Sequence, residues 1–216
     1  MCGRFTLSIS DKPDVAKLGL QSVDRFNIAP QSFVVIQTDK GDHALAQWGI
    51  PLAAAGAPHS VINARLETLG TKPLFRDLTR CVLLTDGWYE WQRFGASKLP
   101  WYHHRRGELF YMAGIYKSGI GCAVVTQNAS ELLTTIHHRQ PVLLKAQHLK
   151  LWLDGMPSEE LPKVEVSYHP VSTRVGDTRH DDRELIEPVQ PDDQFLGQSL
   201  DLFLDYCTPN REVREQ

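Results

Sequence analysis

Apolar residues in this chain fall in short runs divided by Gly, Pro, Asp and Ser. The runs FVVIQ (33–37), RCVLLT (80–85), GWYEWQ (87–92), LFYMAGIY (109–116), CAVVT (122–126) and VEVSYHPV (164–171) are rich in β-branched or aromatic residues and predict strands. Helical spacing is scarcer. SDKPDVAKLG carries a Ser/Asp cap, an early Pro and a closing Gly, and AQHLKLWLDG ends on Gly155 as a C-terminal stop. NARLETL and ASELLTTI read as short helices. Strands do not alternate with long helices, so a doubly wound parallel sheet is not expected. The pattern predicts an α+β fold: a single domain over 1–206 on a mostly antiparallel, distorted, barrel-like sheet with a few short helices. PLAAAGAPHS (51–60) reads as an exposed loop and CTPNREVREQ (207–216) as a flexible tail.

Composition narrows the setting. Of 216 residues 42% are hydrophobic, enough for a real core, yet no stretch of 18 apolar residues offers a membrane span. MCGRFTLSISDKPD turns polar too early for a signal-peptide core, so a cytoplasmic protein without membrane association is expected. Cys81, Cys122 and Cys207 are scattered, and Cys81 and Cys122 sit in apolar runs as reduced, buried thiols. A formal charge of −3 gives no overall pull toward nucleic acid, so any such contact needs a local arginine cluster.

Several polar residues stand out of place. Glu90 lies between Trp88, Tyr89 and Trp91; desolvation there would raise its pKa into a useful range, although a salt-bridged strand-edge glutamate fits as well. His137 or His138 could act as acid or base, or be an ordinary core or surface histidine. The HH pair occurs twice, at 103–104 and 137–138, but adjacent strand residues face opposite ways and no metal-ligand spacing is present, so no metal is expected. Arg4, Arg65 and Arg139 could clamp phosphates or be solvated surface charge. Trp48 and Trp91 could stack on unpaired bases or fill the core. Cys2 stands directly behind the start methionine. With Met1 removed, it alone would carry a thiol and a free α-amine on adjacent carbons.

MCGRF, RFNIAP (25–30), WGIP (48–51), NARLET, PLFRDLTRCVLLTDGWYEW, MAGIY, IHHRQP and HPVSTRV (169–175), in this order from residue 2 to about 190, resemble the SRAP family of abasic-site-processing proteins. The resemblance implies a distorted β-barrel with a positively charged groove over Cys2. It implies covalent capture of abasic sites in single-stranded DNA, with self-cleavage after Met1 and no cofactor. Carried over residue by residue, the nucleophile is Cys2, joined by Asn63, Glu90 and His137. The implied DNA contacts are Arg4, Asn27, Pro30, Trp48, Arg65, Trp91, Thr126 and Arg139. The chain departs from the family pattern at His138, Gln140 and Gly176–Asp177, which bears on the groove's shape more than on its chemistry. A monomer is expected. One tension remains: on an ideal strand Glu90 and Trp91 face opposite ways, so both serve one site only near a bend, a bulge or the strand end.

The chemistry suits these residues. The α-amine of Cys2 would add to the ring-opened sugar aldehyde, and the thiol of the same residue would close on the imine to give a thiazolidine. In this reading Glu90 shuttles protons, His137 protonates the sugar oxygen, and Asn63 orients ligand and amine. Two rivals share the residues. A cysteine peptidase or amidase would pair Cys2 with His137, and a non-catalytic single-stranded or modified-DNA binding module would need no nucleophile.

Overall fold

The computed structural model describes residues 2–52, 59–157 and 160–190. Met1, most of the expected 51–60 loop and the expected 207–216 tail lie outside them. The strands are, in chain order, β1 (Arg4–Leu7), β2 (Arg25–Ile28), β3 (Phe33–Thr38), β4 (His43–Gln47), β5 (Ile50–Pro51), β6 (Ser60–Val61), β7 (Asn63–Arg65), β8 (Thr79–Thr85), β9 (Gly87–Phe94), β10 (Ser97–His104), β11 (Phe110–Lys117), β12 (Gly121–Asn128), β13 (Arg139–Pro141), β14 (Leu143–Leu144) and β15 (Ser167–Pro170). One sheet runs β15-β10-β9-β1-β2 and the other β13-β12-β11-β8-β3-β4, with β14 added to β11 and β7 to β12. Every pairing of named strands is antiparallel except β7 on β12. The fold is thus a single α+β domain of mostly antiparallel sheets, and they do not close into a barrel.

The sheets face each other across a core that includes Phe5, Leu83, Trp88, Trp101, Phe110 and Met112. A second cluster packs Trp152 and Phe75 on the outer face of the larger sheet. A third packs Val175 and Leu185 against Tyr89 and Tyr102 on the outer face of the smaller one. Central strands are therefore covered on both faces, which is why RCVLLT and CAVVT read as unbroken apolar runs. Helices are few: α1 (Pro13–Ala16) and α2 (Leu149–Leu153), the latter followed by Gly155 at φ 99°. Among the described residues no helix is long and apolar enough to cross a membrane.

Two expected helices take other forms. In NARLETL, Asn63–Arg65 is β7, and only Leu66–Thr68 coils, as a 3-10 turn. In ASELLTTI one 3-10 turn, Glu131–Leu133, forms. Both segments are too short for a helical nucleus, and tertiary pairing decides their shape. In VEVSYHPV, Ser167–Pro170 is strand, while Val164 and Val166 pack on the central core.

β1 is fixed by a polar cluster at the corner between β8 and β9. Asp86, 5% exposed, accepts hydrogen bonds from Thr6 Oγ1 and the Ser8 amide, and its carboxylate lies 3.0 Å from Lys12 Nζ. The register is Arg4↔Tyr89, Phe5↔Trp88 and Thr6↔Gly87.

The start of β12 is equally tight. Gly121 has φ 144°, and a Cβ there would lie 2.5 Å from the Gly49 carbonyl oxygen and 2.8 Å from that of Gln47. Neither backbone atom can swing away. Gly121→Ala is expected to cost about 2 kcal/mol or more. Urea unfolding measures it, and a change below about 0.5 kcal/mol would contradict the packing described.

Candidate active site

Continuing the β1–β9 register one step beyond Arg4↔Tyr89 places Gly3 beside Glu90, with Cys2 next along the chain. Cys2 is fully buried, and its thiol sits 3.8 Å from the Arg4 carbonyl oxygen. From the other sheet comes β7, laid parallel on β12 with Asn63 opposite Val124. Asn63 Nδ2 donates to the Cys2 carbonyl oxygen at 2.7 Å. Asn63 Oδ1 is buried with no hydrogen-bond partner among the described residues. The leading segment therefore bridges the two sheets at Cys2.

Glu90 is 3% exposed, and burial raises its carboxyl from 4.5 to about 7. Burial also raises the Cys2 thiol well above its ordinary value, and the negative charge of Glu90 adds to this. His137 sits at the end of the loop between β12 and β13. Its Nδ1 accepts from the Arg139 amide at 3.0 Å, and its ring stacks on His138 with centroids 4.3 Å apart. The same Nδ1 lies 3.1 Å from the Arg139 carbonyl oxygen. Burial lowers His137 to about 4, helped by nearby His138 and Arg93, so the ring is neutral at physiological pH. Glu90 and His137 line one small cavity with Trp88, His103, Arg139 and Gln140. The structure thus brings together Cys2, Asn63, Glu90 and His137, which lie 61, 27 and 47 positions apart along the chain.

The eight expected DNA contacts divide in two. Arg4, Pro30 and Trp91 are half-buried and Arg65 is exposed. The other four lie inside. Trp48 is fully buried, with its Nε1 on the Ile62 carbonyl at 2.9 Å and its ring edge-on to Phe5. No face of that ring is open to a base. Asn27 donates to the carbonyls of Val175, Asp177 and His180, pinning the loop that carries Gly176–Asp177. Thr126 is fully buried with its hydroxyl 3.5 Å from the Ala64 carbonyl. Arg139 is 6% exposed and spends its two terminal nitrogens on Glu67, Asn128 and the Thr126 carbonyl. Sequence alone could not separate a core Trp or a committed Arg from a surface one. The strand tension also resolves. β9 pairs with β10 in unbroken register from Gly87 to Phe94. With no bulge, Trp91 packs beside Tyr89 and Tyr102, on the face away from Glu90.

Glu67, the ion-pair partner of Arg139, and His103, stacked on Trp88 at 4.5 Å, were not among the expected site residues. Nothing local marks them: Glu67 reads as solvated charge, and His103 belongs to an HH pair on an unrecognised strand.

The family profile described as SOS response associated peptidase (SRAP) matches residues 1–178. The chain belongs to the SRAP family. It is 30% identical over 223 residues to abasic site processing protein YedK of Escherichia coli, a match covering 88% of this chain and all of that protein. It is 33% identical to abasic site processing protein YobE of Bacillus subtilis, covering 71% of this chain and 82% of the relative. Among solved structures, a Bacteroides thetaiotaomicron protein superposes with a TM-score of 0.70 at 20% identity, over 88% of this chain and 100% of that one. That likeness shows a shared fold.

Glu90 binds its proton more tightly folded than unfolded. Folding is therefore unpenalised below pH 4.5 and loses stability as pH rises from 4.5 through about 7. Removing the ionisable oxygen should lift this penalty, on the order of 3 kcal/mol at most. Glu90→Gln is expected to raise the melting temperature at pH 8 relative to wild type, with a much smaller gain at pH 5. Equal gains at both pH values would show that Glu90 does not titrate in this range.

Proposed function

We propose that this chain processes abasic sites, capturing them covalently in single-stranded DNA through Cys2 after Met1 is removed. One observation supports the reading above others: Cys2 is held by Asn63 at 2.7 Å beside a buried carboxyl whose pKa lies near 7. Membership of a family whose relatives bear the name abasic site processing protein agrees with it.

With Met1 gone, the Cys2 nitrogen is an amine with an ordinary pKa of about 8, in part neutral near pH 7.5. It attacks C1′ of the open-chain sugar to give a carbinolamine. Glu90, protonated, donates to the departing hydroxyl; water leaves and the imine forms. The Glu90 carboxylate then takes the Cys2 thiol proton. Sulfur bonds to the imine carbon, the C=N π pair moves to nitrogen, and nitrogen is protonated. One water is released in sum, and the thiazolidine holds sugar to protein. Both nucleophiles belong to one residue, so closure is intramolecular and fast. The raised thiol pKa orders the steps: sulfur waits as a neutral thiol until a neighbouring base acts.

His137 takes a different role from Glu90. Neutral, with its Nε2–H available, it donates a hydrogen bond to the sugar oxygen as the ring opens. Groups whose pKa values are pushed apart in one site divide acid–base work between them, and here the one near 7 carries the protons. Asn63 Oδ1 accepts from the amine. Arg4, Arg65 and Pro30 meet the flanking strand. Release of Met1, by the protein's own thiol or by an aminopeptidase, precedes capture. A thiolate–imidazolium pair, as a cysteine peptidase would use, is disfavoured by the raised thiol and lowered imidazole.

Processed protein mixed with single-stranded DNA bearing an abasic site should give a species that survives a denaturing gel. Cys2→Ala should abolish it, and so should an N-terminal extension, which a thiol hydrolase would tolerate. Cys2→Ser should form an imine that borohydride traps but no stable link without borohydride. Clean separation of wild-type protein from DNA sinks the reading. Non-covalent binding is also expected to be only mildly salt-dependent, with a slope of about −1.4 in log K against log salt for two phosphate-facing arginines, Arg4 and Arg65. A slope steeper than about −4 would show that further cations reach the strand.

A further inference from the structure

The cavity behind Glu90 leaves about 10 Å³ for the centre of a water-sized sphere, and Trp88, His103, Arg139 and Glu90 all border it. That is close to the minimum for one water, which also needs two to four polar partners. Three of the bordering residues each hold a buried polar atom with no hydrogen-bond partner among the described residues: Trp88 Nε1, His103 Nδ1 and Arg139 Nε. The three residues are 0%, 1% and 6% exposed, so bulk solvent does not satisfy them. Leaving one such group unpaired costs roughly 1–3 kcal/mol, and three clustered on one cavity point to a shared partner.

The chemistry of the three atoms is complementary. Trp88 Nε1 and Arg139 Nε are donors only. Burial holds His103 neutral, lowering it to about 3, while backbone hydrogen bonds with Trp88 and Trp101 offset this only in part. With the single proton of the neutral ring on Nε2, Nδ1 is an acceptor. A water at the centre would accept from Trp88 and Arg139 and donate to His103, leaving one proton for the Glu90 carboxylate.

We propose that this cavity is a specific site for one bound water, and that His103 and Trp88 act through it as positioning residues for the Glu90 carboxyl. The proposal rests on the reading of Glu90 as the proton shuttle but is tested without DNA. The titratable or charged groups around Glu90 are the Cys2 thiol and amine, His103, His137 and Arg139. Of these, His103 and Arg139 reach it through the water. A water donating to the carboxylate stabilises its charged form, so it holds the Glu90 pKa lower than burial alone would set it.

A high-resolution crystal structure of the wild-type protein should show ordered density bonded to Trp88 Nε1 and His103 Nδ1. Isotope-edited NMR of the glutamate carboxyls should then follow Glu90 against pH in three variants. His103→Leu fills the space and removes the acceptor, and is expected to raise the proton affinity of Glu90 about tenfold, one pKa unit. Trp88→Phe keeps the ring on His103 and removes only the donor, with a smaller shift in the same direction. His103→Gln restores an acceptor and should return the titration toward wild type. The alkaline limb of the crosslinking rate should move with the carboxyl midpoint. Absence of ordered density in the wild-type cavity overturns the proposal, as does a Glu90 titration unchanged in Trp88→Phe and His103→Leu. If crosslinking fails in wild type while the water and the shifts are present, only the functional reading falls.

Discussion

The carboxylate of Asp86, buried where β8 turns into β9, accepts from Thr6 and Ser8 and pairs with Lys12, all on the leading segment of the chain. Chain ends are usually loose, and a residue at position 2 would ordinarily have no fixed place. Here the first strand begins at Arg4, and its far end is locked to the corner from which the strand of Glu90 departs. The same corner therefore sets both sides of the site: β1 runs back from it to Cys2, and β9 runs forward from it to Glu90. Breaking one partner of such a buried cluster would leave charge unpaired in low dielectric, a penalty far larger than a surface ion pair carries. Position and register come from this contact, and the Asn63–Cys2 hydrogen bond closes the opposite end.

How much of this was legible follows from burial. Strands covered on both faces, such as β8 and β12, announce themselves as continuous apolar runs. β10 does not, although it is central in its sheet. Its SKLPWYHH contains a proline and two histidines, a pattern that ordinarily argues against an interior strand. Pro100 fits because its carbonyl still accepts the Val171 amide at 3.0 Å, while the residues after it carry the ladder to β15. His103 fits because a neutral imidazole stacks on Trp88 like any other ring. The four reactive residues were legible through chemistry and family pattern. Their meeting was not, because it depends on a parallel β7–β12 pairing that no local signal encodes.

Arginine and tryptophan were read less well, and for a common reason. Both are amphipathic, and sequence shows the head group without showing what surrounds it. Arg139 sits two residues from His137 and resembles a phosphate clamp, yet its fork is closed on Glu67, Asn128 and the Thr126 carbonyl. So held, it anchors β13 against β12 and presents its own amide to His137 Nδ1. Trp48 similarly joins the sheets from inside. Each acts on the site by building its walls.

That division bears on what can hold a DNA strand. The chain is net negative, and of the three arginines expected to clamp phosphate, Arg4 and Arg65 keep guanidinium groups outside any ion pair among the described residues. Few cations mean a modest electrostatic attraction that weakens further at cellular ionic strength. A site of this kind cannot rely on affinity to remain on a lesion. Covalent closure, as proposed, would answer that constraint, because the lifetime of the complex would then be set by a chemical barrier and not by counterion release. The same logic explains why the thiol is kept neutral and buried. A sulfur ionised at rest would react with any passing electrophile. On the proposed chemistry, one that needs the Glu90 carboxylate, and an imine already formed on its own nitrogen, would react only after an aldehyde has been recognised.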